Sequence, residues 1–306
     1  MRTLSTYIKI LRTKGIRYSI QEGWRAVWPL WFTTDKAVKD IIHQRRVCTM
    51  LRRKYLRYAT DFDEVTADAT VPRIIWICWL QGLADAPAIV QRCVKSVRDN
   101  CPTFEVRILT EGNMLDYVDI PADIIARWRS GRMPFAHFSD ILRVSLLAQH
   151  GGIWMDATVL MTGPMPDYVT QGPLFMFRSS WLDASPHVGS NWMLAASANH
   201  PVMRNMRALL IEYWRHEGYL RDYLIFHDLL AVMYAGHAQT RRCIDAMPYV
   251  CNADPHTLVN RLFEPWSEAL WSDVCRVSAI HKLSYKLDKR KTANAVGTLY
   301  NHILGQ

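Results

Sequence analysis

The sequence lacks the features that identify a membrane-spanning, disulfide-bonded or zinc-binding protein. No apolar run approaches the roughly 18 residues that a spanning helix needs, and Met1 to Leu11 shows no sustained apolar segment of a signal peptide. The seven cysteines are odd in number and form no CxxC pair, which is typical of a chain in a reducing cytosol. We therefore expect a globular protein whose 306 residues are enough for a large core.

Acidic residues are scarce in the first 58 residues, which hold 14 of the 37 Lys/Arg but only 3 of the 28 Asp/Glu. Basic residues there alternate with Trp24, Trp28, Trp31 and Phe32. This composition is typical of attachment to an anionic membrane surface, where each basic side chain contributes about 1 kcal/mol. A helical arm that packs on the body is one alternative, and nucleic-acid binding without a recognition motif is another.

We divide the chain into a basic amphipathic helical arm, 1–66, and a main domain, 67–306. In the main domain, the apolar run "RIIWICWL" and the segment "FEVRILT" predict strands on either side of a helix over 87–100. Further helices are predicted over 112–117, 122–129 and 135–150, and further strands at "GGIWMDATVL" (151–160), "PLFMFRS" and "VSAI". From about residue 200 the chain is mostly helical. This alternation predicts an α/β fold with a mainly parallel sheet.

The predicted helix "FAHFSDILRVSLLAQH" has one polar stripe on an apolar surface. At 100° per residue, Ser139, Asp140 and Arg143 fall within a narrow arc, and most of the remaining circumference is hydrophobic. A carboxylate and a guanidinium on a buried helix must be paired with each other or bound to a ligand. An ordinary i,i+3 ion pair is the simpler interpretation when the helix is considered alone.

An aspartate interrupts the apolar strand "GGIWMDATVL". Period-two alternation places Trp154, Asp156 and Thr158 on one face of the strand. Ligands of open α/β sheets bind beyond the carboxyl ends of the strands. An aspartate there can meet ribose hydroxyls or a divalent cation that bridges phosphates. An aspartate that only caps a turn is the alternative.

The block "SDILRVSLLAQHGGIWMDATVL" resembles the SDxxR…GGxYxDxD block of glycosyltransferases related to capsular polysaccharide synthesis proteins. Yeast-type initiating α-mannosyltransferases and clostridial glucosylating toxins share that block. Upstream, "VPRIIWICWLQG" resembles the first strand of the same group, and "NWMLAASANHP", "DYLIFHDLL" and "IHKLSYK" resemble the capsular subgroup. The resemblance covers roughly residues 70–286 and excludes 1–58. It implies a GT-A-type, Rossmann-like fold with a mostly parallel sheet and a helical C-terminal part that binds the acceptor.

The resemblance also implies roles for individual residues. Trp76 matches the aromatic residue that stacks on the nucleobase, and Asp140 and Arg143 match the pair that grips the donor sugar and phosphates. Trp154 corresponds to the tyrosine of the block, and Asp156 to the first aspartate of the DxD motif. The implied donor-binding set is Trp76, Ser139, Asp140, Arg143, Trp154, Asp156 and Thr158, and the expected catalytic residues are Asp140, Arg143 and Asp156.

Thr158 replaces the second aspartate of the DxD motif, which is usually a direct metal ligand. A hydroxyl is a poorer ligand for Mg²⁺ or Mn²⁺ than a carboxylate, so a metal held by Asp156 would need another ligand. We expect His281 to supply it, because imidazole suits Mn²⁺, although a purely structural histidine is the alternative. The candidate residues for the acceptor or sugar are Asn191, Trp192, Asp222 and Asp228.

These features predict a glycosyltransferase that moves a sugar from a nucleotide-sugar donor, with UDP-sugars favoured, to a surface polysaccharide such as capsule or O-antigen. The resemblance implies retention of configuration; Asp222 or Asp228 would be the base of an inverting reaction. We expect a lipid-linked acceptor, no nucleic-acid partner, and a peripheral location on the inner face of a bacterial cytoplasmic membrane. The alternatives are an inactive sugar-nucleotide-binding protein, which Thr158 allows, and an adaptor that acts through the basic arm.

Overall fold

The computed structural model describes residues 35–63, 69–180 and 187–305, and the isolated residue Ile20. Its first elements are α1 (Lys36–Tyr55), β1 (Ile74–Cys78), α2 (Ala88–Asn100), β2 (Glu105–Leu109), α3 (Ala122–Arg129) and α4 (Phe135–His150). They are followed by β3 (Gly152–Asp156), β4 (Val159–Met161), β5 (Leu174–Arg178), β6 (Gly189–Ala196), α5 (Pro201–His216) and α6 (Ile225–Gly236). The last are α7 (Ala238–Asp245), α8 (Thr257–Arg261), α9 (Glu268–Val277), β7 (Ile280–Lys282), α10 (Lys289–Ala293) and α11 (Leu299–Leu304).

The central sheet has five strands in the order β2-β1-β3-β6-β5. Strand β1 pairs in parallel with β2 and β3, whereas β6 is antiparallel to both β3 and β5. Four of the five strands therefore run in the same direction, which confirms the predicted α/β fold with a mostly parallel sheet. The last residue of β1, Cys78, lies opposite Asp156 at the end of β3, so the carboxyl ends of these two strands meet at one edge.

Helices cover both faces of this sheet, because successive side chains of each strand point to opposite sides. Trp76 and Trp154 pack into one apolar core with the buried side chains of α4, α5 and α6. Ile75 and Met155 pack into a second core with α2 and with the small antiparallel sheet of β4 and β7. The alternation predicted for β3 is confirmed, since Trp154 and Met155 belong to different cores.

Two segments differ from the sequence-based expectations. The strand predicted over 151–160 is divided, because the chain turns at Ala157 and Thr158 and leaves the central sheet to pair with β7. Strand β6 was not predicted, although it lies between β3 and β5 and runs antiparallel to both. Its sequence ends in "MLAA", which has no preference for a strand, and its position between β3 and β5 overrides that local propensity.

Helix α1 packs on the body through one side. Val47, Leu51 and Tyr55, spaced four residues apart, are its buried residues, and the Tyr55 hydroxyl donates to Glu217 Oε1 at 2.8 Å. The described part of the predicted arm is thus in contact with the main domain. The aromatic residues at 24, 28, 31 and 32 lie outside the described residues. Within 35–63, 69–180 and 187–305, none of the helices has both the length and the apolar character to span a bilayer.

Candidate active-site cleft

An open cleft of about 720 Å³ lies at the carboxyl ends of β1 and β3. Trp79, which follows β1, forms one part of its lining, and Trp154 and Asp156 of β3 form another. Lys282 and Tyr285, at and after the end of β7, line the side contributed by the C-terminal part of the chain. This edge of an open α/β sheet is the position at which such folds bind ligands.

The polar stripe of α4 reaches this cleft and centres on the Arg143 guanidinium. Its Nη2 lies 3.4 Å from Asp140 Oδ1 and 3.7 Å from Asp156 Oδ1. Nη2 also donates to Ser139 Oγ at 3.2 Å, and Nη1 donates to the backbone oxygen of Asn191. Helix α4 is buried continuously from residue 137 to 148, so the surrounding apolar packing holds these polar groups in place. Arg143 is consequently preorganised between two carboxylates.

Asp156 is the more accessible of the two carboxylates, with 28% of its side chain exposed. It accepts a hydrogen bond from Trp154 Nε1 at 3.1 Å, and its Oδ2 lies 3.0 Å from Lys282 Nζ. Burial raises the pKa of Asp156, but the charges of Lys282 and Arg143 and these hydrogen bonds outweigh burial, so its pKa is lowered. Asp156 therefore stays ionised at neutral pH.

Asp140 is almost completely buried, at 5% exposure, and behaves differently. Its pKa is raised to about 6, and burial is the main cause. The charge of Asp156 adds to this increase, whereas Arg143 and the hydrogen bond that Asn191 Nδ2 donates at 2.8 Å oppose it. The cleft thus contains a carboxylate that is firmly ionised beside one that takes up a proton in mildly acidic solution.

Two glycines allow α4 to turn directly into β3, which brings Arg143 next to Asp156. Gly151 and Gly152 have φ angles of +66° and +94°, in the region that favours glycine. A Cβ atom on Gly152 would lie 2.6 Å from the backbone oxygen of Ile74. The glycine pair is therefore required both by the backbone conformation and by the close approach of β1.

The structure brings most of the predicted site residues together. The predicted residues that lie in or beside the cleft are Ser139, Asp140, Arg143, Trp154, Asp156, Thr158 and Asn191. Thr158 follows the end of β3, and its hydroxyl accepts a hydrogen bond from Lys282 Nζ at 2.6 Å. The acidic and basic groups proposed from α4 and β3 thus form one cluster.

Trp76 does not lie in the cleft, which contradicts its predicted contact with a nucleobase. Its side chain is fully buried, and its Nε1 donates to the backbone oxygen of Gly151 at 3.0 Å. Trp79, three residues later, is partly exposed at the cleft and meets the ring of Tyr285 edge-to-face at 5.2 Å. The two tryptophans differ because β1 ends at Cys78: Trp76 still belongs to the strand, whereas Trp79 follows its carboxyl end.

His281 is also placed away from the cleft. It is fully buried in β7, and its Nε2 lies 3.0 Å from Thr162 Oγ1. Since neighbouring side chains of a strand point in opposite directions, the contact of Lys282 with Asp156 directs His281 to the other side. Burial lowers the pKa of His281 to about 4, so it is a neutral core residue.

Three acceptor candidates are structural residues rather than part of the cleft lining. Trp192 stacks on Phe177 at 4.7 Å in the core on the side of the sheet away from α4. Asp228 is fully buried, 3.1 Å from His187 Nε2. Asp222 lies 2.8 Å from His43 Nε2 and accepts the backbone N–H of Leu224, immediately before α6. Both carboxylates of "RDYLIFHDLL" thus contact neighbouring histidines outside the cleft lining.

The residues at Asp156 do not fit the predicted divalent-cation site. Thr158 supplies a hydroxyl in place of a carboxylate, His281 faces away, and the Lys282 ammonium already contacts the Asp156 carboxylate. Within the described parts of the chain, no three His, Cys, Asp or Glu side chains are grouped as a metal ion would require. Hard cations such as Mg²⁺ require several oxygen ligands, whereas here the Asp156 carboxylate is paired with Lys282 and the buried Asp140 carboxylate lies against Arg143.

Sequence reasoning missed three residues of the cleft, namely Trp79, Lys282 and Tyr285. Trp79 lies within the quoted segment "RIIWICWLQG", and a strand end at Cys78 would have placed it at the ligand-binding edge. Lys282 and Tyr285 lie in "IHKLSYK", a segment in which the sequence predicts a role for His281 alone. The pairing of Val159 with Lys282 connects that segment to β3, and sequence spacing alone does not show this contact.

Part of the chain is similar in sequence to a known glycosyltransferase. A glycosyltransferase of Aspergillus fumigatus, afumC, is 35% identical over an alignment of 99 residues that covers 29% of this chain and 25% of that relative. The matched segment thus spans a quarter of that protein's length. The solved structure of PaToxG Glycosyltransferase aligns with a TM-score of 0.42 and 13% identity, over 88% of this chain and 97% of that one.

A family model described as "Capsular polysaccharide synthesis protein" matches residues 30–303. The match begins before α1, so the family includes this helix, contrary to the exclusion of residues 1–58 from the resemblance. It covers nearly all of the chain and contains every group of the cleft. The resemblance inferred from the motifs is thereby confirmed, and the chain belongs to the capsular polysaccharide synthesis protein family.

Proposed function

We propose that the protein is a glycosyltransferase whose nucleotide-sugar donor binds in the cleft at the ends of β1 and β3. The observation that carries this proposal is the Arg143 guanidinium, held by Asp140 and Asp156 beside an open cleft. A guanidinium matches the geometry of phosphate oxygens, and carboxylates accept hydrogen bonds from sugar hydroxyls. A nucleotide sugar contains both kinds of group next to each other, so it suits this cluster better than a simple anion.

The aromatic and charged parts of the cleft suit the two ends of a nucleotide sugar. Trp79 and Tyr285 offer aromatic surface at one part of the lining, which suits a nucleobase. Asp156 at the end of β3 and Arg143 on α4 lie 3.7 Å apart, and there they would contact the ribose, the diphosphate and the transferred sugar. Uridine nucleotide sugars are the first donors to test, in keeping with the family resemblance.

In the proposed reaction, the bond between the anomeric carbon and the diphosphate oxygen breaks, and its electron pair goes to the diphosphate. The oxygen of an acceptor hydroxyl forms the new bond to that carbon, and the hydroxyl proton moves to the departing diphosphate. Arg143 stabilises the negative charge that develops on the leaving group, which is the main electrostatic task of such a transfer. Attack on the face left by the diphosphate retains the configuration of the sugar and needs no carboxylate base.

We place the acceptor on a membrane-bound surface polysaccharide, and the exposed side of α1 supports this placement. Away from its buried residues, α1 exposes basic side chains that include Arg45, Arg52 and Arg53. Each basic side chain near an anionic bilayer contributes about 1 kcal/mol of attraction. Sedimentation with vesicles tests this part: we expect binding to phosphatidylglycerol vesicles, reduced at least fivefold in the triple glutamine variant of these arginines. Equal binding to neutral phosphatidylcholine vesicles would contradict it.

A donor panel tests the proposed activity. Thermal shifts and donor turnover are measured with uridine, guanosine and cytidine diphosphate sugars, for the wild type, Asp156→Asn and Asp99→Asn. Asp99 is an exposed carboxylate paired with Lys95 on α2, away from the cleft, and serves as the matched control. A donor at a hundredfold excess over its dissociation constant adds about 2.7 kcal/mol of stability. We expect one nucleotide family to stabilise the wild type and the control, and turnover to fall at least a hundredfold in Asp156→Asn.

Two results would contradict this assignment. Donor binding without any turnover or transfer to an acceptor would indicate a sugar-nucleotide-binding protein that lacks transferase activity. If none of the donors binds to the folded wild type, the cleft is not a nucleotide-binding site.

A further inference from the structure

The position of Lys282 is determined by the small antiparallel sheet. Strand β7 pairs with β4 so that Lys282 lies opposite Val159, directly beside the turn that follows β3. Its Nζ donates to Thr158 Oγ1 at 2.6 Å and lies 3.0 Å from Asp156 Oδ2. The side chain is 19% exposed, so the ammonium is held by the fold while remaining open to the cleft.

This ammonium lies between the two side chains that correspond to the DxD motif. In such a motif, both positions are carboxylates, and a divalent cation neutralises them. Here one carboxylate is replaced by the neutral Thr158, and the remaining charge of Asp156 is balanced by Lys282. A divalent cation bound to Asp156 would lie next to a positive charge about 3 Å from the same carboxylate. Two positive charges that share one carboxylate repel each other strongly in a partly buried site.

We propose that the Lys282 ammonium takes the place of the divalent cation, so that the protein binds the donor diphosphate and transfers the sugar without a metal ion. This inference rests on the proposed nucleotide-sugar donor. An ammonium has three N–H donors, of which Asp156 and Thr158 accept two, and the third has no acceptor within the described parts of the chain. That N–H donates to a phosphate oxygen of the bound donor. Lys282 and Arg143 then stabilise the departing diphosphate together.

The charges of the cleft are consistent with this role. Arg143 and Lys282 balance Asp140 and Asp156, so the cluster carries no excess negative charge that would attract a divalent cation. Lys286, which also lines the cleft, adds a further positive charge on the side of the C-terminal segment. Together, these basic groups favour an incoming diphosphate without additional neutralisation.

The test compares binding and turnover with excess EDTA and with Mn²⁺. Uridine, guanosine and cytidine diphosphates are titrated by calorimetry into the wild type, Lys282→Met, Lys282→Arg and Lys289→Ala. Methionine keeps the length and packing of the lysine stem but removes its charge, arginine keeps the charge, and Lys289 is an exposed lysine outside the cleft lining. Circular dichroism of each variant confirms that it is folded.

We expect wild-type affinity and turnover to differ less than twofold between EDTA and Mn²⁺. In EDTA, Lys282→Met should bind the diphosphate at least tenfold more weakly and lose more than a hundredfold in turnover, whereas Lys289→Ala should match the wild type. Lys282→Arg should retain more than Lys282→Met in both measurements.

Wild-type binding or turnover that disappears in EDTA and returns with Mn²⁺ would overturn the role of Lys282 and leave the proposed donor intact. Unchanged binding and turnover of Lys282→Met in EDTA would also overturn it. Failure of every diphosphate to bind the folded wild type under both conditions would instead overturn the proposed donor, and this inference with it.

Discussion

Trp76 and Trp79 are three residues apart, and we expect their substitution to affect different properties. Trp76 is fully buried and donates a hydrogen bond to Gly151, so Trp76→Ala removes a core side chain and a buried interaction. Such a change costs about 3–5 kcal/mol of stability. Trp79 is partly exposed at the cleft against Tyr285, so Trp79→Ala should change the free energy of unfolding by less than about 1 kcal/mol.

The affinity for a nucleotide should show the opposite pattern. Stacking of a base on an aromatic side chain is worth about 1–3 kcal/mol, so Trp79→Ala should raise the dissociation constant of the preferred nucleoside diphosphate about 5- to 150-fold. Trp76→Phe, which retains an aromatic core residue and should remain folded, should leave that constant within about twofold. Urea titration measures the first quantity and calorimetry the second. Weakened nucleotide binding in a stable Trp76→Phe variant, with normal binding in Trp79→Ala, would refute this assignment.

Four further outcomes are expected. Turnover should decline as the pH falls through about 6, where Asp140 takes up a proton, and a pH–rate profile of Asp140→Asn should lack this decline. Because burial lowers the pKa of His281 from 6.5 to about 4, the unfolded state binds more protons between these values. Stability should therefore be lost as the pH falls through that window, and urea titrations of His281→Gln should show a smaller loss. An equal loss in this variant would show that His281 does not cause the pH dependence. Gly152→Ala should lower the free energy of unfolding by more than about 2 kcal/mol, because its φ is +94° and β1 is close. Thr158→Asp combined with Lys282→Met should be activated at least tenfold by Mn²⁺. Activity of this variant that is unchanged by Mn²⁺ would contradict the proposal that Lys282 takes the place of the divalent cation.

Helix α1 shows why sequence composition predicted only part of the N-terminal region. Its basic residues were visible as a charge excess, and their exposure on one side agrees with the proposed surface contact. The buried spacing of Val47, Leu51 and Tyr55 was also present in the sequence. Their partner, however, is the distant α6 and the segment around Glu217, and composition does not reveal such long-range contacts. The helix therefore packs on the domain that the proposed boundary separated from it.

The sequence alone determined the part of the site whose residues are close together in the chain. Helical periodicity aligned Ser139, Asp140 and Arg143, strand alternation placed Asp156 on the correct face, and the glycine pair joined the two elements. These relations depend on local backbone geometry, which operates over a few residues. The mostly parallel sheet followed from the same periodicities.

Only the tertiary structure decided which side chains meet across long separations. Lys282, rather than His281, faces Asp156 because β7 pairs with β4 in one register, and a shift by one residue would reverse the two. Trp79, rather than Trp76, faces the cleft because β1 ends at Cys78. The contact between Lys282 and Thr158 spans 124 positions of the chain. Local propensity does not encode such a pairing; it arises from packing both sheets around a shared core.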